Sequence, residues 1–237
     1  MQKACIIALG GSLVVPTLSD KNGVDVLFLR RFRKFILAEI KKGRTIIIVV
    51  GGGKTARMYN RSAAKVVRMS KEDLDWIGIH ATRLNAHLLR TIFVKTAHPV
   101  VIDHDLSSAD VEKLTKSRAK LFIASGWKPG WSTDYVASKL AVTFGIADII
   151  DAGDIPYVYE EDPKKNGGAK PITELSWKEY RTIIPTLWTP GMAVPFDPIA
   201  SRVAEKENLR VKILYGKDLR NMKKAIEGKP FQGSVIA

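Results

Sequence analysis

Three short apolar runs in this chain of 237 residues each stop at glycine. Ala4 to Leu9 ends at Gly10-Gly11-Ser12, Thr45 to Val50 at Gly51-Gly52-Gly53, and Lys120 to Ala124 at Ser125-Gly126. Glycine lets a backbone approach a bound group closely, and successive N–H groups at a helix start can donate to phosphate oxygens. One such loop needs no explanation beyond a tight turn. Three of them at strand ends, which border the ligand crevice of an open α/β sheet, describe a site for a phosphate-bearing ligand. The sequence holds no Gly-x-x-x-x-Gly-Lys-Ser/Thr, and no Gly-x-Gly-x-x-Gly follows the first run, so the phosphate must be held in another way. Ser132, Thr133 and Asp134 open a further helical segment with two hydroxyls and a carboxylate at its start. His80 and His87 share a helical face without a carboxylate or cysteine at metal spacing, and read as structural residues.

The elements that must carry these loops alternate. Short runs rich in Ile and Val are separated by longer segments of helical period, the pattern of parallel strands covered on both faces by crossover helices. Phe28, Phe32, Phe35 and Ile36 fall on one helical face between the first two strands. Asp73 to Lys95 is helix-compatible, Val100 to Ile102 reads as a brief strand, and Thr133 to Phe144 as a helix. Asp148 to Ile150 and Val211 to Leu214 read as strands, Glu160 to Lys170 as an exposed loop, Pro198 to Glu207 as a helix, and Ser234 to Ile236 as a closing run. There is no internal repeat and no linker. One α/β domain over residues 1–237, a three-layer αβα sandwich on a mainly parallel sheet, is the expected architecture.

Composition sets the outer limits. The chain has 38 Lys and Arg against 24 Asp and Glu, a formal charge of +14, which should attract polyanions without choosing among nucleotides, nucleic acids and acidic membranes. The basic residues Arg30, Arg31, Arg33, Lys34, Lys41, Lys42, Lys164, Lys165, Lys223 and Lys224 are spread out and form no long tail, so they read as a solvated surface. The five tryptophans are scattered too, which favours packing over stacking on a single strand, and nucleic acid is not an expected partner. Cys5 stands alone, so no intrachain disulfide can form. No apolar run approaches the roughly 20 residues that span a bilayer, and a soluble cytoplasmic protein is expected.

Several motifs in one order carry a family resemblance. Gly10-Gly11-Ser12, Val49-Val50-Gly51-Gly52-Gly53-Lys54 with Ala56-Arg57, and Ile77-Gly78-Ile79 followed by Thr82-Arg83-Leu84-Asn85-Ala86 resemble the archaeal type of uridylate (UMP) kinase, within the amino acid kinase family. So do Pro129-Gly130 with Ser132-Thr133-Asp134, Val158-Tyr159 with Asp162-Pro163-Lys164-Lys165, Phe196-Asp197-Pro198 with Ala200, and Gly233. The resemblance runs almost from end to end. It implies transfer of the ATP γ-phosphoryl group to UMP in pyrimidine nucleotide synthesis, Mg²⁺ bound with the nucleotide, and a homohexamer built from dimers. It also implies an acceptor-binding part near residues 1–140 and an ATP-binding part near 141–237.

Residue by residue, the resemblance implies that Gly10, Gly11, Ser12, Gly53 and Arg57 line the ATP phosphates, with Tyr159 and Asp162 as further ATP contacts. Gly52, Asp75, Gly126, Lys128, Gly130, Ser132 and Thr133 fall on the UMP side, and Asp134, Arg57 and Lys128 at the phosphoryl centre. No residue is expected to form a dedicated protein metal site. Each position also has a plainer reading. Arg57 can be a surface arginine on the helix after its loop, Asp75 and Asp134 favourable charges near helix starts, and Arg83 and Asn85 residues that fix loop geometry or an oligomer contact. The chain departs from the family at Gly153-Asp154-Ile155-Pro156-Tyr157, where Thr-Asn-Val-Asp-Gly is usual, and at Trp127 and Trp131, where residues are usually smaller or more polar. Kinases of the same fold acting on isopentenyl phosphate, carbamate or an amino acid are the nearest alternatives, and a non-catalytic nucleotide-binding module is another.

Overall fold

The computed structural model describes residues 4–17, 23–161, 163, 166–189, 191–192 and 194–237. Its centre is built by the two most apolar runs. β1 (Ala4–Leu9) and β2 (Thr45–Val50) pair in parallel with Ala4 opposite Thr45 and Leu9 opposite Val50. Their side chains alternate between two cores: Ile6, Ala8, Ile47 and Val49 face one side, while Cys5, Ile7, Leu9, Ile46, Ile48 and Val50 face the other. This is why both runs are apolar throughout rather than alternating in polarity, as strands covered on both faces must be. Burial without a close partner pushes the Cys5 thiol up to about 12, so it is a packing residue.

β3 (Leu121–Ala124) extends the sheet beyond β2, and β4 (Asp148–Gly153) joins β1 on its other edge. β8 (Arg210–Tyr215) pairs in parallel with β4, β9 (Ser234–Ile236) runs antiparallel to β8, and the two-residue β7 (Glu174–Leu175) closes the order β3-β2-β1-β4-β8-β9-β7. β5 (Val158–Tyr159) and β6 (Pro171–Ile172) form a separate small ribbon. The chain leaves β1 toward β2 on one side and returns through β4 on the other. That reversal opens a crevice beyond the carboxyl ends of the central strands.

One helical layer comprises α2 (Val26–Lys41), α4 (Lys71–Ile92) and α9 (Leu219–Ile226), which bury Phe28, Phe32, Ile36, Ala86, Leu89, Met222 and Ala225. The other comprises α5 (Ser108–Lys116), α6 (Thr133–Phe144), α7 (Trp177–Ile183) and α8 (Pro198–Lys206), which bury Leu114, Val136, Leu140, Trp177, Tyr180, Ala200 and Ala204. A three-layer αβα sandwich results. Local chemistry starts the helices: Ser70 and Ser107 close reciprocal capping boxes with Asp73 and Asp110, and Asp197 caps α8 ahead of Pro198 at the first helical position. Two further helices, the single-turn α1 (Gly11–Val14) and the longer α3 (Gly53–Ala64), grow directly from the first two glycine loops.

The expected strand at Val100–Ile102 is corrected: only Ile102 bridges, to Ala124. Its N–H donates to Ile123 and its carbonyl accepts from Ser125, so one residue is enough to cover the end of β3. Asp73–Lys95 begins earlier and ends sooner, at the Ser70 cap and at Ile92. Among the described residues, no helix is long and apolar enough to cross a membrane.

Candidate active site

The glycine loops after β1 and β2 cross one another backbone to backbone. A Cβ on Gly11 would lie 2.2 Å from the Gly53 nitrogen and 2.3 Å from the Gly51 oxygen, and one on Gly53 would lie 2.4 Å from the Gly11 oxygen. Gly53 also has φ +64°, a conformation that L side chains rarely adopt. α4 holds these loops from beneath with polar side chains buried in an apolar helix face. The Asn85 side-chain amide donates to the Gly51 carbonyl at 2.8 Å, and the Thr82 hydroxyl accepts the Gly126 N–H at 2.7 Å. Arg83 donates to the carbonyls of Asp103 and Trp127, so Arg83 and Asn85 both fix loop geometry in this chain.

Between the loops lies a cavity of about 300 Å³. It is bordered by Gly10, Gly11, Ser12, Gly52, Gly53 and Arg57 on one side, by Asp75 of α4 and Gly126, and by Ser132, Thr133 and Asp134 at the start of α6. Eleven of the expected site residues therefore meet in one place. Lys128 and Gly130 stand just outside the lining. The Lys128 ammonium lies 4.0 Å above the Trp131 ring, a cation–π contact, and it is the Trp131 indole that borders the cavity. Gly130, at φ +83°, donates its N–H to the Asp75 carboxylate at 2.8 Å, so Asp75 pins the turn that presents Trp131. Trp127 is buried, its indole N–H donating to the Ile102 carbonyl. Tyr159 sits on β5 with its ring edge-on to Tyr157, away from the cavity lining, and Asp162 lies outside the described residues.

A loop that sequence reasoning passed over supplies the fourth wall: Trp188, Gly191, Met192 and Val194 border the cavity ahead of Asp197. Nothing in that stretch has a strand or helix period, and its only signal was its place before Phe196-Asp197-Pro198. Thr82 and Asn85 left a clearer mark, as polar residues on what is otherwise the buried face of a helix.

Electrostatically the cavity is acidic. Among its described lining residues Arg57 is the only cation, against the carboxylates of Asp75, Asp134 and Asp197. Asp197 accepts from the N–H groups of Ile199 and Ala200 at 2.7 and 3.0 Å and from the Ser132 hydroxyl. Its own N–H donates to Asp134 Oδ2 at 3.3 Å. Asp134 opens partly onto the cavity, yet the protein around its carboxyl, together with the neighbouring charges of Asp151 and Asp197, pushes its pKa well above the usual carboxylate range. Asp151, buried on β4, is raised to about 8 by loss of water and by Asp154, and burial also raises Asp197. Crowded carboxylates of this kind favour either a proton or a cation between them. Among the described residues no three metal-ligating side chains gather into a cage.

Backbone N–H loops, one arginine, helix-start hydroxyls and a carboxylate cluster around one small cavity define a class of phosphate-handling α/β proteins. The amino acid kinase family model matches residues 3–215, and the chain belongs to that family. Along nearly its whole length it is similar to the uridylate kinase of Hyperthermus butylicus, 30% identical over 231 residues that cover 98% of this chain and 96% of the relative. It is also similar to the uridylate kinase of Pyrococcus abyssi, 30% identical over 232 residues and 98% of each chain. The crystal structure of uridylate kinase from Archaeoglobus fulgidus superposes with a TM-score of 0.77 at 30% identity, covering 98% of this chain and 99% of that one. The UMP kinase of Ureaplasma parvum shares the fold, with a TM-score of 0.78 at 18% identity.

Proposed function

We propose that this protein is a uridylate kinase, which transfers the γ-phosphoryl group of ATP to UMP and releases ADP and UDP. The observation that carries the reading is the meeting of both glycine loops, Arg57 and Asp134 around one cavity in a chain 30% identical to uridylate kinases over nearly its full length. In the reaction an oxygen of the UMP phosphate forms a bond to the γ-phosphorus while the bond to the β-phosphate bridging oxygen breaks. The attacking oxygen belongs to a phosphate largely ionised at neutral pH, so no base has to remove a proton. The protein's task is to position two polyanions and to stabilise the charge that spreads over the transferring oxygens.

The chain's own groups divide that task. N–H groups of the loops at Gly11 and Gly53, with Ser12, donate to the ATP phosphates, and Arg57 supplies the fixed positive charge. On the acceptor side, Gly52, Gly126, Ser132 and Thr133 hold the UMP phosphate. Asp75 fixes the Gly130 turn, which brings Trp131 to the cavity and Lys128 above it. Mg²⁺ bound with the nucleotide would be held by Asp134 together with the substrate phosphates, with Asp197 behind it, its own oxygens already accepting from Ser132, Ile199 and Ala200. When bound with ATP, that ion neutralises phosphate charge and so offsets the acidic character of the cavity. Apart from the loops that hold the ATP phosphates, the acceptor-binding part then lies near residues 1–140 and the ATP-binding part near residues 141–237, with Tyr159 on the ATP side.

The same reading places the protein in cytoplasmic pyrimidine nucleotide synthesis, as a homohexamer of dimers. The exposed stripe of Trp76, His80, Leu84 and His87 along α4, beside exposed Met58 and Tyr59 of α3, supports assembly through that face. Light scattering tests the mass. A coupled assay that offers UMP, CMP, isopentenyl phosphate and carbamate with ATP and Mg²⁺ tests the activity. Turnover with UMP far above the others is expected, and background rates with UMP would remove the reading.

A further inference from the structure

Most of the chain's surplus of positive over negative charge lies in one stretch. Residues 26–71 hold thirteen Lys and Arg against a single acidic residue, Glu39. The first half of that stretch is α2, whose solvent-facing positions carry Arg30, Arg31, Lys34 and Lys41. Their wide sequence distance from the basic residues near the end of the chain hides what the fold does with them. α9 packs on the same face of the sheet, and two ion pairs tie it to α2: Lys42 to Glu227 at 3.2 Å and Lys217 to Asp25 at 2.7 Å. α9 adds exposed Arg220, Lys223 and Lys224 to the same surface.

The acids of this face are already occupied. Glu39 is buried between Lys42 and Arg44, Glu227 pairs with Lys42 and Lys229, Asp25 with Lys217, and Asp218 caps α9 through the N–H groups of Arg220 and Asn221. Among the described residues, no hydrogen bond or ion pair engages Arg30, Lys34, Lys41, Arg220 or Lys224, and Arg31 and Lys223 act on Asp25 and Glu227 only through space. Seven outward cations are left along a helix about 24 Å long and its neighbour. None of them borders the cavity.

We propose that the α2–α9 face binds the phosphate backbone of duplex nucleic acid, independently of the kinase site. Charge complementarity argues for a polyanion, and the rest of the surface selects among polyanions. Its central positions expose no aromatic side chain, so stacking on the bases of a single strand has no platform here. The large exposed apolar residues Val26 and Leu27 stand only at the first turn of α2, which is too little apolar surface for a helix that lies in a membrane. A row of cations along two neighbouring helices fits a regular line of phosphates, and contacts to the backbone alone predict binding without sequence preference.

Fluorescence anisotropy with a labelled DNA duplex of arbitrary sequence tests this on the full chain. Six or so phosphate contacts predict a fall in affinity of about a thousandfold between roughly 50 and 200 mM KCl, a log–log slope near −5. Arg31→Gln/Lys34→Gln/Lys223→Gln should cut that slope by about 3 units and weaken binding by at least tenfold at low salt. Its melting temperature and UMP turnover should stay at wild-type values, which shows that fold and kinase site are intact. A second triple variant with cations removed elsewhere, Arg118→Gln/Lys120→Gln/Lys178→Gln, should bind as wild type does. Equal losses in the two variants would mean diffuse attraction to net charge and overturn the proposal. So would absence of duplex binding at about 50 mM salt, or binding of phosphatidylserine vesicles that depends on the same three residues while the duplex does not.

Discussion

Gly11 and Gly53 come from different loops, yet each occupies the space where the other's side chain would begin. The contact is between backbones in both directions, so no rotamer change can relieve an added methyl group. Gly11→Ala must push the two loops apart. We expect a stability loss of about 1–3 kcal/mol and a still larger loss of ATP binding, because the donating N–H groups lose their mutual geometry. Gly167→Ala, where a Cβ would meet nothing within 4 Å, is the matched control and should leave both quantities unchanged. Calorimetric ATP titration beside denaturant unfolding measures the pair. Wild-type ATP affinity in Gly11→Ala would mean that the crossing is packing alone.

Tyr180 fixes the acidic side of the site from behind. Its buried hydroxyl donates to the Phe196 carbonyl at 2.6 Å and accepts the Phe196 N–H at 2.7 Å, which holds the residue just before Asp197. Tyr180→Phe leaves both backbone groups buried without that partner, at a cost of about 1–3 kcal/mol. Since Asp197 positions Asp134, turnover should drop as well, with the loss in kcat rather than in the KM for UMP. A variant that loses stability but keeps kcat would confine Tyr180 to the core.

What the sequence made legible, and what it hid, follows from where each signal resides. β1 and β2 were readable because strands covered on both faces are apolar at every position, and α6 because Ser132 announces its start. The first two glycine loops were readable for the same reason that Gly11→Ala should fail: only glycine permits the crossing. α5, α7 and α9 have nine residues or fewer, too few for a period to emerge, whereas the equally short α8 is marked by Asp197-Pro198 at its start. Trp188, Gly191, Met192 and Val194 lie in a stretch with no period at all, so nothing local marks them as a cavity wall. The resemblance implies Lys128 at the phosphoryl centre, and its ammonium lies over the Trp131 indole, a contact that no spacing rule encodes.

Buried carboxylates also set a pH dependence. Asp151, raised to about 8, and Asp134 and Asp197, raised as well, are protonated in the native state at pH values where the unfolded chain has released those protons. The native state therefore binds more protons from about pH 4 upward, so stability falls as pH rises from there, with the Asp151 contribution to the fall complete above about pH 8. Melting temperatures at pH 5.5, 7 and 8.5, without nucleotide or divalent cation, should decline in order. Asp151→Asn removes the ionisable group farthest from the cavity lining and should flatten the decline, with its largest gain at the highest pH. An equally steep decline in the variant would assign the dependence to other groups.

Asp134 is the residue whose readings diverge most in consequence. If it stands beside the transferring phosphoryl group, its charge holds the cation-bound phosphates in line, and Asp134→Asn removes that charge while an amide oxygen still accepts from the Asp197 N–H. Turnover should then fall by roughly 10²–10³-fold. Stability should hold or rise, because the amide replaces a carboxyl whose charged form burial, and then the neighbouring Asp151 and Asp197, already disfavour. If Asp134 is only a favourable charge near the start of α6, its loss costs about 0.3–1 kcal/mol and leaves turnover nearly normal. The two outcomes differ in the sign of the stability change as well as in rate, so melting temperature and UMP turnover on one preparation separate them. Near wild-type turnover in Asp134→Asn would end its assignment to the phosphoryl centre.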